Sequence, residues 1–221
     1  MLNGVTGDLL PSAVAVALSP FPIVAIVLTL GTPRARVTGS AFALGWIAGL
    51  ALLSTLVVLV LGSGVDAGVE TGIDWFDVVV GAGFLLLAAR TWAKRPRDGE
   101  QPPRPGWMDS LGSLTPPRAL VTGAALSGAN PKNLALTIAV SASVSEAALD
   151  PPQTAIALVL YVCVGSFTVV GPLASHLLAG ERAAAPLAAV ERFISAHSSA
   201  IMIVILLLLG TKLLGDGLGG L

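Results

Sequence analysis

Apolar residues run through this chain in long blocks instead of alternating with polar ones. Six blocks stand out: residues 9–30, 37–65, Trp75–Ala89, Ala119–Ser145, Pro151–Gly180 and Phe193–Thr211. The first two carry no charge. The third is short, with Asp77 near one end; the fourth is interrupted by Lys132, the fifth holds His176, and the sixth starts beside His197. A helix needs about 20 mostly apolar residues to cross a bilayer, whereas a barrel strand needs about ten in alternation. The pattern therefore predicts an all-α integral membrane protein of six transmembrane helices. No Lys or Arg precedes the first block, so it is predicted to stay as helix one and not to be cleaved as a signal peptide.

Composition narrows the class further. The chain is 54% hydrophobic and 11% charged, with a mean hydropathy of +0.86, against about 25% charged in soluble domains. That excludes a soluble enzyme, a disordered regulator and a nucleic-acid binder. Cys163 is the only cysteine, which excludes a disulfide scaffold and a CxxC redox or metal site. There is no HExxH, P-loop, GxSxG or dinucleotide fingerprint, and Gly81-Ala82-Gly83 falls inside a predicted span. No catalytic residue, metal or cofactor is expected. A net charge of −1 by itself implies no partner.

The placement of the charges is more informative. Six spans put the first, third and fifth connections on one side. That side collects Arg34, Arg36, Arg90, Lys94, Arg95, Arg97, Arg104, Arg118, Arg182 and Arg192, ten of the twelve basic residues. The other side has Lys212 with Asp8, Asp66, Glu70, Asp74, Asp77, Glu146, Asp150 and Asp216. By the positive-inside rule the basic side is cytoplasmic and both termini face outward, as in a multi-pass cell-membrane protein. Residues 94–117, rich in Pro, Gly and charge, read as a cytoplasmic linker between a three-helix unit at 1–93 and another at 118–221. Residues 181–197 are expected to form a short interfacial helix.

The two units resemble each other. Ala17-Leu18-Ser19 is followed by Pro20-Phe21-Pro22, and Ala125-Leu126-Ser127 by Gly128-Ala129-Asn130-Pro131, an offset of 108 residues for the triplet. Three helices per unit is an odd number, so the second unit enters from the opposite face. The expectation is an inverted repeat, with helices 1 and 4 broken at mid-membrane. Transporters place substrate sites at such breaks, because non-helical backbone survives at this depth only under a covering of protein or water. Lys132 has 13 uncharged residues on either side within its span, too far from either end to snorkel out. A charge near bilayer centre costs at least about 2.5–3.5 kcal/mol, and no acidic residue lies at comparable depth. It requires a hydrated cavity, an anionic ligand, or the carbonyls released by Pro131. The candidate substrate-binding residues are therefore Ser19, Pro20, Pro22, Ser127, Asn130, Pro131, Lys132 and Asn133. Ala41-x3-Gly45-x3-Gly49 reads as a close helix contact, and Gly171-Pro172 as a kink in helix five.

The runs ALSPFPIVAIVLTLGTPRARVTGSAFALGWIAG, GAGFLLLAARTW, RPGWMDSLGSLTPPRAL and SGANPKNLAL resemble the GAP family of peptidoglycolipid- or sulfolipid-addressing proteins, within the lysine-exporter (LysE) superfamily. The resemblance covers nearly the whole chain. Its most specific pieces are Pro20-Phe21-Pro22, Pro105-Gly106-Trp107-Met108 and Asn130-Pro131-Lys132-Asn133; the last also resembles amino-acid-exporting branches, so it marks the superfamily better than the substrate. The chain lacks the intramembrane acidic motifs expected of metal-exporting relatives and the cysteine pair of thiol-redox relatives. The resemblance implies a small secondary exporter of a cell-envelope glycolipid or other anionic amphiphile. The alternatives are an accessory protein that assists a larger lipid exporter, and an amino-acid exporter. Membrane lipids and an anionic or amphiphilic small molecule are the expected partners; a homodimer and a larger exporter stay open, and nucleic acid is not expected.

The topology is testable by thiol labelling of single cysteines placed at Asp66, Gly99 and Asp150. Asp66 and Asp150 are expected to react with an impermeant reagent outside intact cells, and Gly99 only after lysis. The reverse pattern refutes the orientation.

Overall fold

The computed structural model describes residues 2–62, 75–95, 111, 113–147 and 149–218. Most of the 94–117 linker, and Asp66, Glu70 and Asp74 of the expected outer loop, lie outside the described residues. Among the described residues the fold is all-helical, without a strand. The helices are α1 (Leu2–Ala17), α2 (Pro20–Leu30), α3 (Ala35–Gly62), α4 (Trp75–Ala93), α5 (Pro116–Gly128), α6 (Pro131–Glu146), α7 (Pro151–Ala179) and α8 (Ala184–Leu218). A 3-10 turn at Gly180–Ala183 joins the last two. Ala35–Val60 and the stretch Pro151–Leu218 are long and apolar enough to cross a membrane, and Leu9–Ala17 with Pro20–Leu30 qualifies as a pair bent by 45°.

The start of each element follows from local chemistry. Pro20, Pro116, Pro131 and Pro151 all sit at the head of a helix, where the missing N–H would be unpaired anyway and the fixed φ already suits the helix. Asn130 and Asp150 cap α6 and α7, accepting from Lys132 N–H at 3.1 Å and Gln153 N–H at 2.8 Å. Gly180 ends α7 with φ 56°, a left-handed conformation that glycine adopts without steric cost and that turns the chain towards α8.

One expectation needs correction here. Residues 181–197 do not form a separate interfacial helix. After the 3-10 turn they are the first turns of α8, which continues without a break to Leu218, because no Gly or Pro follows Pro186 until Gly210. Gly171-Pro172 lies inside α7, which continues through it as helix.

The bundle has an apolar core that encloses a set of polar side chains, and its outside is apolar as well. Ser19, Ser127, Asn133, Thr137 and Ser141 are fully buried, whereas Leu52, Phe167 and Leu178 are 71%, 73% and 88% exposed. Water would not tolerate that surface; hydrocarbon does, and it leaves polar side chains nowhere to go but inward. Helices meet through small residues. An added Cβ would lie 1.9 Å from the Leu120 carbonyl oxygen at Gly45, 2.1 Å from Ser127 Oγ at Gly49, and 2.1 Å from the Phe42 carbonyl oxygen at Gly123. The Ala41-Gly45-Gly49 stripe therefore presses α3 backbone to backbone against α5. Gly81 and Gly210 do the same for α4 and α8: a Cβ added to either would lie 2.9 or 3.0 Å from the other's carbonyl oxygen. α1 packs on α7, and α3 also touches α6 and α7.

This packing predicts a sharp contrast between glycines. Gly123→Val drives a side chain into the α3 backbone and is expected to abolish a folded, monodisperse protein in detergent, since overpacking costs about 1–3 kcal/mol even where the backbone can yield. Gly83→Ala, where nothing lies within 4 Å of the added carbon, is expected to leave the melting temperature within a degree or two.

Candidate functional site

The candidate site grows out of two interrupted helices. α1 ends at Ala17 because Pro20 has no N–H to give to Val16. Ser19 N–H turns back to Val16 O at 3.2 Å, three residues away, while Leu18 N–H still reaches Val14 O at 2.9 Å. Tightening the last turn this way skips one acceptor, the carbonyl of Ala15. Ser19 itself is extended (φ −67°, ψ 118°), and α2 restarts at Pro20. The second interruption has the same form: Ala129 N–H bonds Ala125 O at 2.7 Å, Asn130 is extended (φ −72°, ψ 118°), and α6 restarts at Pro131. Structurally Pro20 corresponds to Pro131, 111 residues on. The Ala-Leu-Ser triplet, at an offset of 108, is out of register with the breaks by three residues, because Gly128, Ala129 and Asn130 intervene in the second unit.

The acceptors left over are satisfied across the bundle. Lys132 is 4% exposed, and its Nζ donates to the Ala15 carbonyl at 2.7 Å. Of the partners the sequence left open for Lys132, the structure shows a backbone carbonyl, and it is one freed by Pro20 in the other half of the chain and not one freed by its own neighbour Pro131. The physical reason is direction. Lys132 lies in the first turn of α6, with the carbonyls before Pro131 behind it, while α1 packs alongside. Asn133 completes the second break: its Nδ2 donates to Leu126 O at 3.2 Å, and its Oδ1 accepts from Ser19 Oγ at 3.1 Å. Two hydrogen bonds, Lys132 to Ala15 and Ser19 to Asn133, therefore clasp the first break to the second.

Of the eight sequence-derived candidates, the structure brings Ser19, Lys132 and Asn133 into direct contact at this clasp. Pro20 and Pro22 are buried in the first turn of α2, and Asn130 holds the head of α6 through Lys132 N–H. Pro131 is the first residue of α6. Ser127 belongs elsewhere: its hydroxyl bonds Ala124 O at 2.9 Å on its own helix and lies against Gly49 of α3. Three partners escaped the sequence reading. Thr168 Oγ1 of α7 donates to the Ala17 carbonyl. Thr137 Oγ1 lies 2.7 Å from Asn133 O and 2.9 Å from the hydroxyl of Tyr161, which is fully buried. Thr137 follows Asn133 by four residues, a spacing that could have been noticed. Nothing in the sequence around Thr168 or Tyr161 points to the breaks.

Among the described residues no group of His, Cys, Asp or Glu could hold a metal ion. The site offers one cation, one carboxamide and several hydroxyls, enclosed in an apolar bundle. That donor-rich set suits an anionic or hydrogen-bonding ligand and has no nucleophile–base pair.

The sequence model of the family described as Sap, sulfolipid-1-addressing protein, matches residues 9–219. No curated protein and no solved structure matches the chain.

Asn133→Ala removes both bonds of the carboxamide and leaves Leu126 O and Ser19 Oγ facing a hole. At about 1–3 kcal/mol for each buried group left unpaired, the variant is expected to melt several degrees below the parent in detergent. Ser143→Ala, which loses only a bond to Ala139 on its own helix, is the control and is expected to match the parent.

Proposed function

The chain belongs to the sulfolipid-1-addressing protein family, and on that premise we propose that it is a small secondary membrane transporter that moves the headgroup of an anionic amphiphile, such as a cell-envelope glycolipid, through the clasp between its two broken helices. Membership makes it a membrane protein linked to lipid export. The observation that carries the finer reading is the clasp. A structural protein in lipid has no use for two helix breaks, each exposing backbone acceptors that must be covered again, nor for a buried ammonium that costs several kcal/mol to insert. Only one acceptor, Ala15 O, is on the Lys132 ammonium among the described residues. Two of its N–H groups are left for a sulfate, phosphate or carboxylate. A neutral carbonyl is a weak hold on a cation, and an anionic headgroup is a stronger competitor for it.

The packing supports a six-span inverted repeat. Equating α1 and α2 with α5 and α6, α3 with α7 and α4 with α8, several of the helix contacts occur in matched pairs. α3 packs on α5 as α7 does on α1, α3 on α6 as α7 on α2, and α4 on α6 as α8 on α2. α4 with α8, and α3 with α7, meet across the axis itself. α4 carries exposed tryptophans at both ends, Trp75 and Trp92. They lie about 26 Å apart along the helix axis, close to the hydrocarbon thickness of about 30 Å, where aromatic belts form. Arg95 stacks over Trp92 at 3.5 Å, which places a basic residue at the same end. In this reading both termini are extracytoplasmic, and units 1–93 and 118–221 flank the cytoplasmic linker.

The test is Lys132→Met, read in two assays. Loss of the cap on Ala15 is expected to lower the melting temperature by a few degrees at most, because deleting a buried charge offsets part of the lost bond. Translocation of a fluorescent anionic glycolipid by purified protein in liposomes is expected to fall at least tenfold per folded molecule, with Lys132→Arg retaining part of it. Unchanged translocation by Lys132→Met overturns the substrate role of the lysine. Parent protein that translocates nothing alone, but binds and stimulates a larger exporter, establishes the accessory reading instead.

A further inference from the structure

α2 and α6 are equivalent in position and unlike in chemistry. Each follows an extended residue, starts on a proline and packs its first turns into the bundle. Yet α6 carries Asn133, Thr137, Ser141 and Ser145 at every fourth position, one stripe along the helix. Asn133, Thr137 and Ser141 are fully buried and Ser145 is half-buried. At the register of the two prolines, the counterparts of the first three in α2 are Pro22, Ile26 and Leu30, all buried as well. The fold therefore accepts an apolar stripe at this position, and the polar one on α6 is not a packing requirement. Other helices add to it: Tyr161 of α7 turns its buried hydroxyl onto Thr137, and Ser141 donates to the Ser54 carbonyl of α3 at 3.3 Å. Ser145 bonds back to Ser141 O at 2.9 Å.

The stripe begins at the clasp and ends beside Glu146 and the loop to Asp150, a length of about 18 Å. On the opposite side of the clasp the packing is of another kind. There α5 is pressed against α3 at Gly45, Gly49 and Gly123 with no space for a methyl group, and the buried residues of α5 are Ala119, Gly123 and Ser127. One side of the breaks is sealed by backbone contact, and the other is lined with hydroxyls.

We infer that the Asn133-Thr137-Ser141-Ser145 face of α6, with Tyr161 and Ser54 opposite it, is the exit route along which a polar, anionic headgroup passes from Lys132 to the outer membrane face. This rests on the exporter reading and adds the path and its direction. Past Lys132 the rungs are uncharged, so each can bond a sugar hydroxyl or an acidic oxygen without retaining it, as conduction through a series of sites requires. The bonds that close the route in this conformer are neutral, of about 0.5–1.5 kcal/mol net each, and water or a headgroup can replace them. Acyl chains need no route, because the exterior of the bundle is already apolar.

Replacing Cys163, which is exposed on α7 and outside the site, by Ser gives a cysteine-free background. Single cysteines then replace Thr137, Ser141 and Ser145 on the stripe, and Ala135 and Ala139 on the opposite face of α6; each change is small, and folding is checked by gel filtration. A membrane-impermeant sulfonated methanethiosulfonate is added outside intact cells and the remaining thiols are counted. The stripe cysteines are expected to react at least tenfold faster than Ala135→Cys and Ala139→Cys, with Ser145→Cys fastest and Thr137→Cys slowest. Stripe thiols that are unreactive from outside, reactive only in inverted vesicles, or no faster than the two controls overturn the route. That result leaves the exporter reading standing if the parent still translocates glycolipid in liposomes. Reactive stripe thiols in a chain that translocates nothing retain the hydrated route but remove the exporter reading.

Discussion

A backbone carbonyl in hydrocarbon must find a donor, and Pro20 and Pro131 each take one away. An uncovered acceptor in this environment costs several kcal/mol, comparable to the whole margin of stability of a typical domain. Everything distinctive about the centre of this protein answers that constraint. Ser19 N–H retreats to Val16, Lys132 takes Ala15, Thr168 takes Ala17 and Asn133 takes Leu126. Three of these four donors lie in the second unit, and two of them reach back to α1. The first unit is therefore not self-sufficient at its own break. It requires the second to be docked on it, which ties the folding of the two units together.

The same constraint explains why polar side chains collect where they do. With lipid around the bundle, Ser54, Thr137, Ser141 and Tyr161 can be satisfied only by one another or by helix carbonyls, and they are. Hydrogen bonds of this kind are modest in membranes, about 0.6 kcal/mol on average. They are strong enough to specify one arrangement and weak enough to exchange. Close backbone contact at Gly45, Gly49 and Gly123 does the opposite, giving dispersion contact along a length of helix that no water can enter. In the proposed route, a glycine seam on one side of the breaks and a hydroxyl face on the other give the bundle a direction.

In the inverted-repeat reading proposed above, the difference between α2 and α6 is informative. Duplicated geometry accounts for the two prolines, the two extended residues before them and the paired helix contacts. It does not account for lysine, asparagine and a column of hydroxyls in one unit against phenylalanine, proline, isoleucine and leucine in the other. Where symmetry of backbone coexists with asymmetry of side chains, the asymmetry carries the chemistry.

Much of this was legible in the residues alone. The apolar blocks, the prolines that interrupt the first and fourth, the uncompensated Lys132 and the small-residue stripe on α3 are local or compositional facts, and each depends on forces that act over one or two helical turns. The family resemblance, carried by Asn130-Pro131-Lys132-Asn133 and its companions, agrees with the matched family. What the residues did not disclose is who satisfies whom. The residues left open whether a cavity, a ligand or a carbonyl satisfies Lys132, and the triplet at an offset of 108 does not give the spacing of 111 between Pro20 and Pro131. Thr168 and Tyr161 gave no sign at all. Those outcomes depend on how α1, α6 and α7 pack, and a side chain's partner across a bundle follows from helix crossing and rotation, which single-helix periodicity does not contain. Sequence determined that the backbone would be broken at two places; only the tertiary structure decided that each break would be mended from the second half of the chain.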